Sequence, residues 1–418
     1  MATTYLSRTS GTPTDSKKTT LSVWLKRSGL GTGTFFGGGA DSNNMTFINF
    51  NPNGKIFLQS SSSGSNTLVF VTTQVFRDTS AWYHIVVAID TTQGTASNRV
   101  KLYVNGVQVT AFDTETQPSQ NLELEWNKSG KTLEIGKYLF QSTYSLYDGS
   151  MSYVSFVDGT QELPTVFGET DSTTGEWKIK TDITPSVAWG NNGFLILKNG
   201  NSLTDESSNS NNFTLGGGTL TETKDCPDNV FCVLNDLDTT RVLSNGNTTY
   251  AGDASGTVVK GTLGMLSGKY YAECKILSAA QNMIGVLSIA QAPTTVFVGA
   301  SAVGWGLFGD GTLYNNSSAT SNFSNSFSDN DIMGIALDMD NNKLYFSKNG
   351  VWQNSGDPTS GATGTGAVSI TSGLTMTFSG GRDSASDTAD FNFGNGTFGT
   401  TAIASAGTNA SNNGVFEY

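Results

Sequence analysis

The chain has 418 residues, of which 14% are charged, with 23 Lys+Arg against 35 Asp+Glu and a formal net charge of -12. Its polarity comes from Ser, Thr, Asn and 49 Gly, which suits short strands joined by turns rather than Glu/Lys-faced helices; an acidic chain this poor in cations is also badly placed to grip phosphate backbones, so no nucleic-acid partner is expected. No run approaches the roughly 18 apolar residues of a membrane helix, the opening Met1-Ala2-Thr3-Thr4-Tyr5 lacks the basic and apolar regions of a secretory signal, and three cysteines with one histidine are too few for a disulfide scaffold or a metal cluster.

At 36% hydrophobic, with 24 Phe, 13 Tyr and 7 Trp, the chain can build packed cores, and its length predicts two or three domains. Short runs of Val, Ile, Thr, Phe and Tyr alternate with Gly, Asn, Asp and Ser clusters almost throughout, a β pattern. Gly29, Gly31, Gly33 and Gly37-Gly38-Gly39 predict a flexible loop. Trp82-Tyr83-His84-Ile85-Val86-Val87-Ala88-Ile89-Asp90 is largely apolar on both faces and predicts a central strand. The runs Val100 to Val104 and Val107 to Val109 flank Asn105-Gly106; both turn residues tolerate φ > 0, so a type I′ hairpin is expected. Leu122-Glu123-Leu124-Glu125-Trp126 alternates, predicting a solvent-facing strand edge with Glu123 and Glu125 on one side.

From about 166 to 237 the composition shifts. Glu169 to Gly175 and Asp205 to Asn212 read as loops, and only Gly193 to Leu197 and Asn229 to Leu234 have core character. A free linker would not carry Trp177, Trp189 and Phe194, so this stretch is expected to pack on a neighbour. Beyond it, Asp331 to Asp338 predicts another apolar strand, followed by Lys343 to Lys348, the turn Asn349-Gly350 and Val351-Trp352.

The first of these regions resembles the laminin-G-like, concanavalin A-like lectin/glucanase superfamily. The residues that carry the resemblance are Leu21 to Arg27, Trp82 to Asp90, Val100 to Gly106 and the closing Tyr147 to Gly159. The last region resembles the SPRY domain, through Ser267 to Cys274, Ile284-Gly285-Val286, Gly304 to Leu307, Gly334 to Asp338, Leu344 to Gly350 and Ala389 to Gly394. The resemblances imply an all-β chain of two antiparallel, jelly-roll-like β-sandwich domains in tandem: 1–165 laminin-G-like, 166–237 a packed connector, and 238–418 SPRY-like. Such a tandem is similar to virion structural proteins of tailed, particularly marine, bacteriophages. It implies a non-enzymatic surface protein, such as a capsid or neck decoration, that binds other virion proteins and host-surface glycans, forms a homo-oligomer, and is made in the host cytoplasm and released by lysis. A tail-fibre component and a polysaccharide-degrading enzyme are the alternatives, with an intracellular SPRY-type adaptor of protein partners a third.

The chemistry-bearing residues are weighed against that reading. The glucanase pattern resembles Glu-x-Asp-x-Glu along one strand; Glu123 and Glu125 fit its first positions, but Asn127 and Lys128 follow, and neither can act as the second carboxyl that double displacement needs. No catalytic residue is therefore assigned. Gly304-Trp305-Gly306-Leu307-Phe308-Gly309 matches G-x-G-x-x-G, yet a turn and strand follow where a phosphate site requires a helix, so no cofactor is expected. Asp338-x-Asp340-x-Asn342 begins like a calcium loop, but Lys343 and Asn349 occupy its glycine and glutamate positions. Asp41 and Asp148 are the rim candidates for a looser calcium site, and ordinary turn capping is the competing reading. Cys226, Cys232 and Cys274 are expected as thiols and His84 as a structural residue. Trp177, Trp189, Trp305 and Trp352 are candidate sugar platforms in principle only, so the ligand-binding residues stay unassigned.

Overall fold

The protein is described from a computed structural model over residues 3–137, 146–252, 257–279, 281–292, 297–382, 386–404, 407 and 414–418. Regular structure among these residues consists of strands and short 3-10 turns without an α-helix, as the composition predicts. The chain divides into two compact units, one built from residues 1–222 and 226–230, the other from 223–225 and 231–418.

The first unit contains β1 (Tyr5–Thr9), β2 (Lys18–Arg27), β3 (Gly33–Asp41), β4 (Asn44–Phe50), β5 (Ile56–Ser62), β6 (Ser65–Thr72), β7 (Trp82–Asp90), β8 (Val100–Val104), β9 (Val107–Gln108), β10 (Phe112–Thr116), β11 (Thr132–Ile135), β12 (Gly149–Asp158), β13 (Gly168–Thr170), β14 (Trp177–Ile179), β15 (Phe194–Ile196) and β16 (Thr214–Gly217). An eight-stranded sheet in the order β10-β6-β5-β4-β3-β11-β1-β16 packs with a six-stranded sheet, β15-β12-β2-β7-β8-β9. The strand pairings set Leu6, Ile135, Phe36, Ile48, Leu58 and Phe70 in one cross-strand row, and all six lie in the shared core. Side chains alternate along a strand. The adjacent row, Ser7, Glu134, Gly37, Phe47, Gln59 and Val69, therefore lies on the outer face of the same sheet.

Strand β7 is central and buried on both sides: Ile85, Val87 and Ile89 enter the main core, while Val86 and Ala88 pack with Phe167, Ile183, Trp189 and Leu195. Asn105 and Gly106 adopt φ of 48° and 77°, the type I′ geometry expected between β8 and β9. The chain beyond residue 165 contributes strands directly, β15 beside β12 and β16 beside β1.

Two sequence expectations fail here for the same reason. Gly37-Gly38-Gly39 is strand β3, not a flexible loop. A Cβ on Gly38 would lie 2.6 Å from Leu133 Cδ2 and 2.9 Å from Trp126 Cα, so Gly38 admits a chain segment onto the strand rather than loosening it. That segment is Leu122 to Asn127, which forms no strand edge: Glu125–Asn127 is a 3-10 turn that buries Trp126 completely. Period-two alternation misled because Leu124 and Trp126 both reach the core from a single turn, anchored where the Glu125 amide donates to Thr46 Oγ1 at 3.2 Å.

The second unit contains β17 (Leu243–Ser244), β18 (Thr249–Tyr250), β19 (Val259–Lys260), β20 (Lys269–Ser278), β21 (Met283–Ser288), β22 (Gly304–Phe308), β23 (Leu313–Asn315), β24 (Ser318–Thr320), β25 (Ile332–Asp338), β26 (Lys343–Lys348), β27 (Val351–Trp352), β28 (Val368–Ser369), β29 (Met376–Gly380) and β30 (Thr388–Asn392). One sheet runs β17-β18-β30-β20-β25-β26-β27, with β28 also on β26, and the other β19-β29-β21-β22-β23-β24. Cys274, Ile335, Phe346 and Phe391 of the first pack with Val286, Trp305, Leu307 and Phe378 of the second. Gly306 serves a close chain approach: a Cβ there would stand 1.9 Å from the Val298 carbonyl oxygen.

Candidate functional site

The carboxylates singled out in the sequence are separated by the fold. Glu123 is exposed and accepts from Ser16 Oγ at 2.8 Å. Glu125 is buried and held by Lys128 Nζ at 2.5 Å. Asn127 belongs to a buried polar knot: its Nδ2 donates to Asp158 Oδ1 at 2.7 Å and its Oδ1 accepts from Asn192 Nδ2 at 3.1 Å. Asp158 also accepts from the backbone amides of Thr14 and Asn192, so its charge is consumed in tying three segments together.

The rim candidates for calcium act as turn residues or stand apart. Asp41 accepts from the Asn43 amide and Asn44 Nδ2, bonds that hold its carboxyl below the usual carboxylate range. Asp148 lies beside Gly29, its carboxyl raised by desolvation among neighbouring protein atoms. No group of three or more His, Cys, Asp or Glu that could hold a metal occurs among the described residues. The cysteines are thiols; Cys274 is a core residue and the half-buried Cys226 thiol is pushed up to about 12 by desolvation and by neighbouring Asp228.

The tryptophans are not exposed platforms. Trp189 and Trp305 are buried, and Trp177 and Trp352 are half-buried. Trp177 has a structural task on the outer side of the six-stranded sheet. The His84 ring lies between Trp24, at 4.6 Å and 10°, and Trp177, at 5.9 Å and 16°. Trp177 Nε1 donates to His84 Nδ1 at 2.9 Å, which leaves the ring proton on Nε2, 2.8 Å from Ser22 Oγ. Burial pushes the imidazole pKa down to about 3, so it stays neutral and cannot serve as a base near pH 7.

A different surface emerges from the strand register: the outer face of the eight-stranded sheet. Glu134 on β11 is 6% exposed, yet its Oε2 has no hydrogen-bond partner, and burial raises its pKa against the partial relief of Lys137, whose Nζ is 3.9 Å from Oε1. Lys137 Nζ also sits 4.2 Å from the Tyr5 ring centroid. Gly37 leaves the adjacent position of the row without a side chain, and Phe47 and half-exposed Gln59 follow. On the same face, two residues along β4 from Phe47, Asn49 is 7% exposed with an unpartnered Oδ1. Strand spacing puts Glu134 and Phe47 roughly 10 Å apart, the breadth of one to two sugar rings. The alternation of Thr132-Leu133-Glu134-Ile135 marks Glu134 as facing away from the core, but nothing in the chain's order says that β11 lies beside β3, which alone brings Glu134 to Gly37 and Phe47.

Comparison with known proteins agrees with both halves of the sequence reading. Residues 2–159 match the concanavalin A-like lectin/glucanases superfamily and residues 269–394 match the SPRY domain. No curated protein matches the chain. Similar solved structures include the SPRY domain of human HERC1 (16% identity, 38% of this chain and 96% of that one, TM-score 0.31), a native heptameric SAP-like pentraxin from Limulus polyphemus (18%, 38% and 71%, 0.29) and the TRIM65 PSpry domain (14%, 38% and 91%, 0.32). The chain thus carries, in tandem, a domain of the concanavalin A-like lectin/glucanase superfamily and a SPRY domain.

Proposed function

We propose that the protein is a non-enzymatic surface protein of a bacteriophage virion, a capsid or neck decoration, that works by binding, and that the Glu134 face of its first unit receives a host-surface glycan. The tandem of two domain types that suit binding supports the general reading. The observation that carries the site is the pair of buried, unpartnered acceptors, Glu134 Oε2 and Asn49 Oδ1, on one sheet face. A buried acceptor left unpaired costs about 1–3 kcal/mol, and sugar hydroxyls are donors of the right kind to recover it while Phe47 and Phe57 offer apolar contact. Repeated copies on a particle would turn such weak contacts into avidity. The separation of Glu123 from Glu125 and the engagement of Asn127 support a role without hydrolysis.

Binding to arrayed bacterial surface polysaccharides is expected to fall at least tenfold in Glu134→Gln with the fold intact, and equal binding by this variant would remove the site. Immunogold labelling of assembled particles is expected at the head or neck; label confined to a distal fibre tip would replace the ornament by the tail-fibre alternative. A reducing-end assay on laminarin or agar is expected to show no turnover, and turnover abolished by Glu123→Gln would overturn the non-enzymatic reading.

A further inference from the structure

The second unit holds a fully buried carboxylate, two of whose partners are backbone amides of a remote segment. Glu273, on β20, is 0% exposed. Its Oε2 accepts from Asn392 Nδ2 at 3.1 Å and from the Glu417 amide at 2.9 Å, and its Oε1 from Tyr271 OH at 3.3 Å and the Tyr418 amide at 2.8 Å. Two successive backbone amides of one segment thus converge on a single carboxylate, a charge-assisted arrangement that reads main chain rather than side chain. The segment is held further by Val415, whose amide donates to the Gly394 carbonyl and whose carbonyl accepts from Asn392 Nδ2, both at 2.9 Å.

Side-chain seats flank this anchor. Phe416 is 7% exposed and meets Tyr271 edge-on at 5.1 Å, and Tyr271 meets Trp352 at 6.3 Å. Gly334 forms part of the floor, where a Cβ would lie 2.3 Å from Ser347 Oγ and 2.7 Å from Tyr271 OH. The Tyr418 ring rests over Gly350, where a Cβ would come within 2.7 Å of Tyr418 Cδ1 while the residue stays 53% exposed.

We propose that this face of the SPRY unit is a peptide-binding site, filled from within by residues 415–418, whose ligand class is a short segment with two aromatic residues flanking one polar residue and two successive amides turned to the same side. The carboxylate of Glu273 recognises the backbone, and the Tyr271 and Gly350 seats select the aromatics. The inference is independent of the glycan site on the first unit. An internal segment competes at an effective concentration on the order of millimolar, so the site is closed to weak ligands until the segment is displaced or removed.

The test uses the full chain, a variant lacking residues 415–418, and the fluorescein-labelled peptide Gly-Val-Phe-Glu-Tyr with a C-terminal amide, so that no α-carboxylate contributes. Fluorescence anisotropy is expected to show saturable binding to the shortened variant, at least tenfold weaker binding to the intact chain, and a further tenfold loss when Glu273→Gln is added to the shortened variant. A folded shortened variant that fails to bind, or equal binding by the intact chain, overturns the proposal. Should the shortened variant not fold, hydrogen exchange of the intact chain decides: the Glu417 and Tyr418 amides are expected to exchange at least 100-fold faster than those of β20 and β25, and exchange only through global unfolding would make the segment a fixed part of the fold and end the proposal.

Discussion

The neutral imidazole between two indoles gives the first unit a defined acid sensitivity. In the unfolded chain His84 titrates near its ordinary 6.5, whereas in the folded unit burial holds it near 3. Below pH 6.5 the unfolded state therefore binds one proton more than the folded state, and stability falls as pH falls. The stabilisation is fully present above pH 6.5 and is lost through the window from 6.5 towards 3. At pH 5 the folded ring is still unprotonated, so the loss depends only on the unfolded value and amounts to about 2 kcal/mol relative to pH 8. Because the chain has a single histidine, no second imidazole contributes between pH 7 and 5. Urea unfolding followed by tryptophan fluorescence at half-unit pH steps is expected to show this loss in the transition that carries Trp24 and Trp177. In His84→Gln the absolute stability drops, but the dependence between pH 7 and 5 should flatten. A flat profile in the wild type, or an unchanged slope in the variant, would refute the buried-imidazole argument.

Other substitutions test the packing directly. Gly38→Ala places a methyl 2.6 Å from Leu133 Cδ2 and against the Trp126 backbone, so thermal unfolding of the first unit should show a loss of about 1–3 kcal/mol. In the second unit Arg241 and Asp387 form a buried ion pair at 2.9 Å, with 0% side-chain exposure on both sides. Asp387→Asn should cost about 3–5 kcal/mol in urea unfolding. Arg241→Lys should not restore stability, because the guanidinium also donates from Nε to the Thr257 carbonyl and from Nη1 to that of Ala251. Trp177→Phe removes the donor to His84 Nδ1 while keeping an apolar ring; it should lower stability by about 1 kcal/mol, and no change would show that stacking alone holds the hairpin of β13 and β14.

The alternating and doubly apolar runs of the chain determined its all-β character, the central strand β7, the Asn105-Gly106 and Asn349-Gly350 turns and both domain resemblances, because side-chain period and turn chemistry are local properties. The structural duty of His84 was legible too, since it sits in an apolar strand and no second histidine accompanies it. Tertiary structure decided the rest. Leu122 to Trp126 has a strand's alternation but folds as a turn, because the core offers Trp126 a seat beside Gly38 of β3, where a Cβ would stand 2.9 Å from Trp126 Cα. Glu134 meets Gly37, and Glu273 meets the Glu417 and Tyr418 amides 144 and 145 residues away, through strand order and segment docking. Such pairings depend on which surfaces meet in space, and a residue's immediate neighbours along the chain carry no record of them.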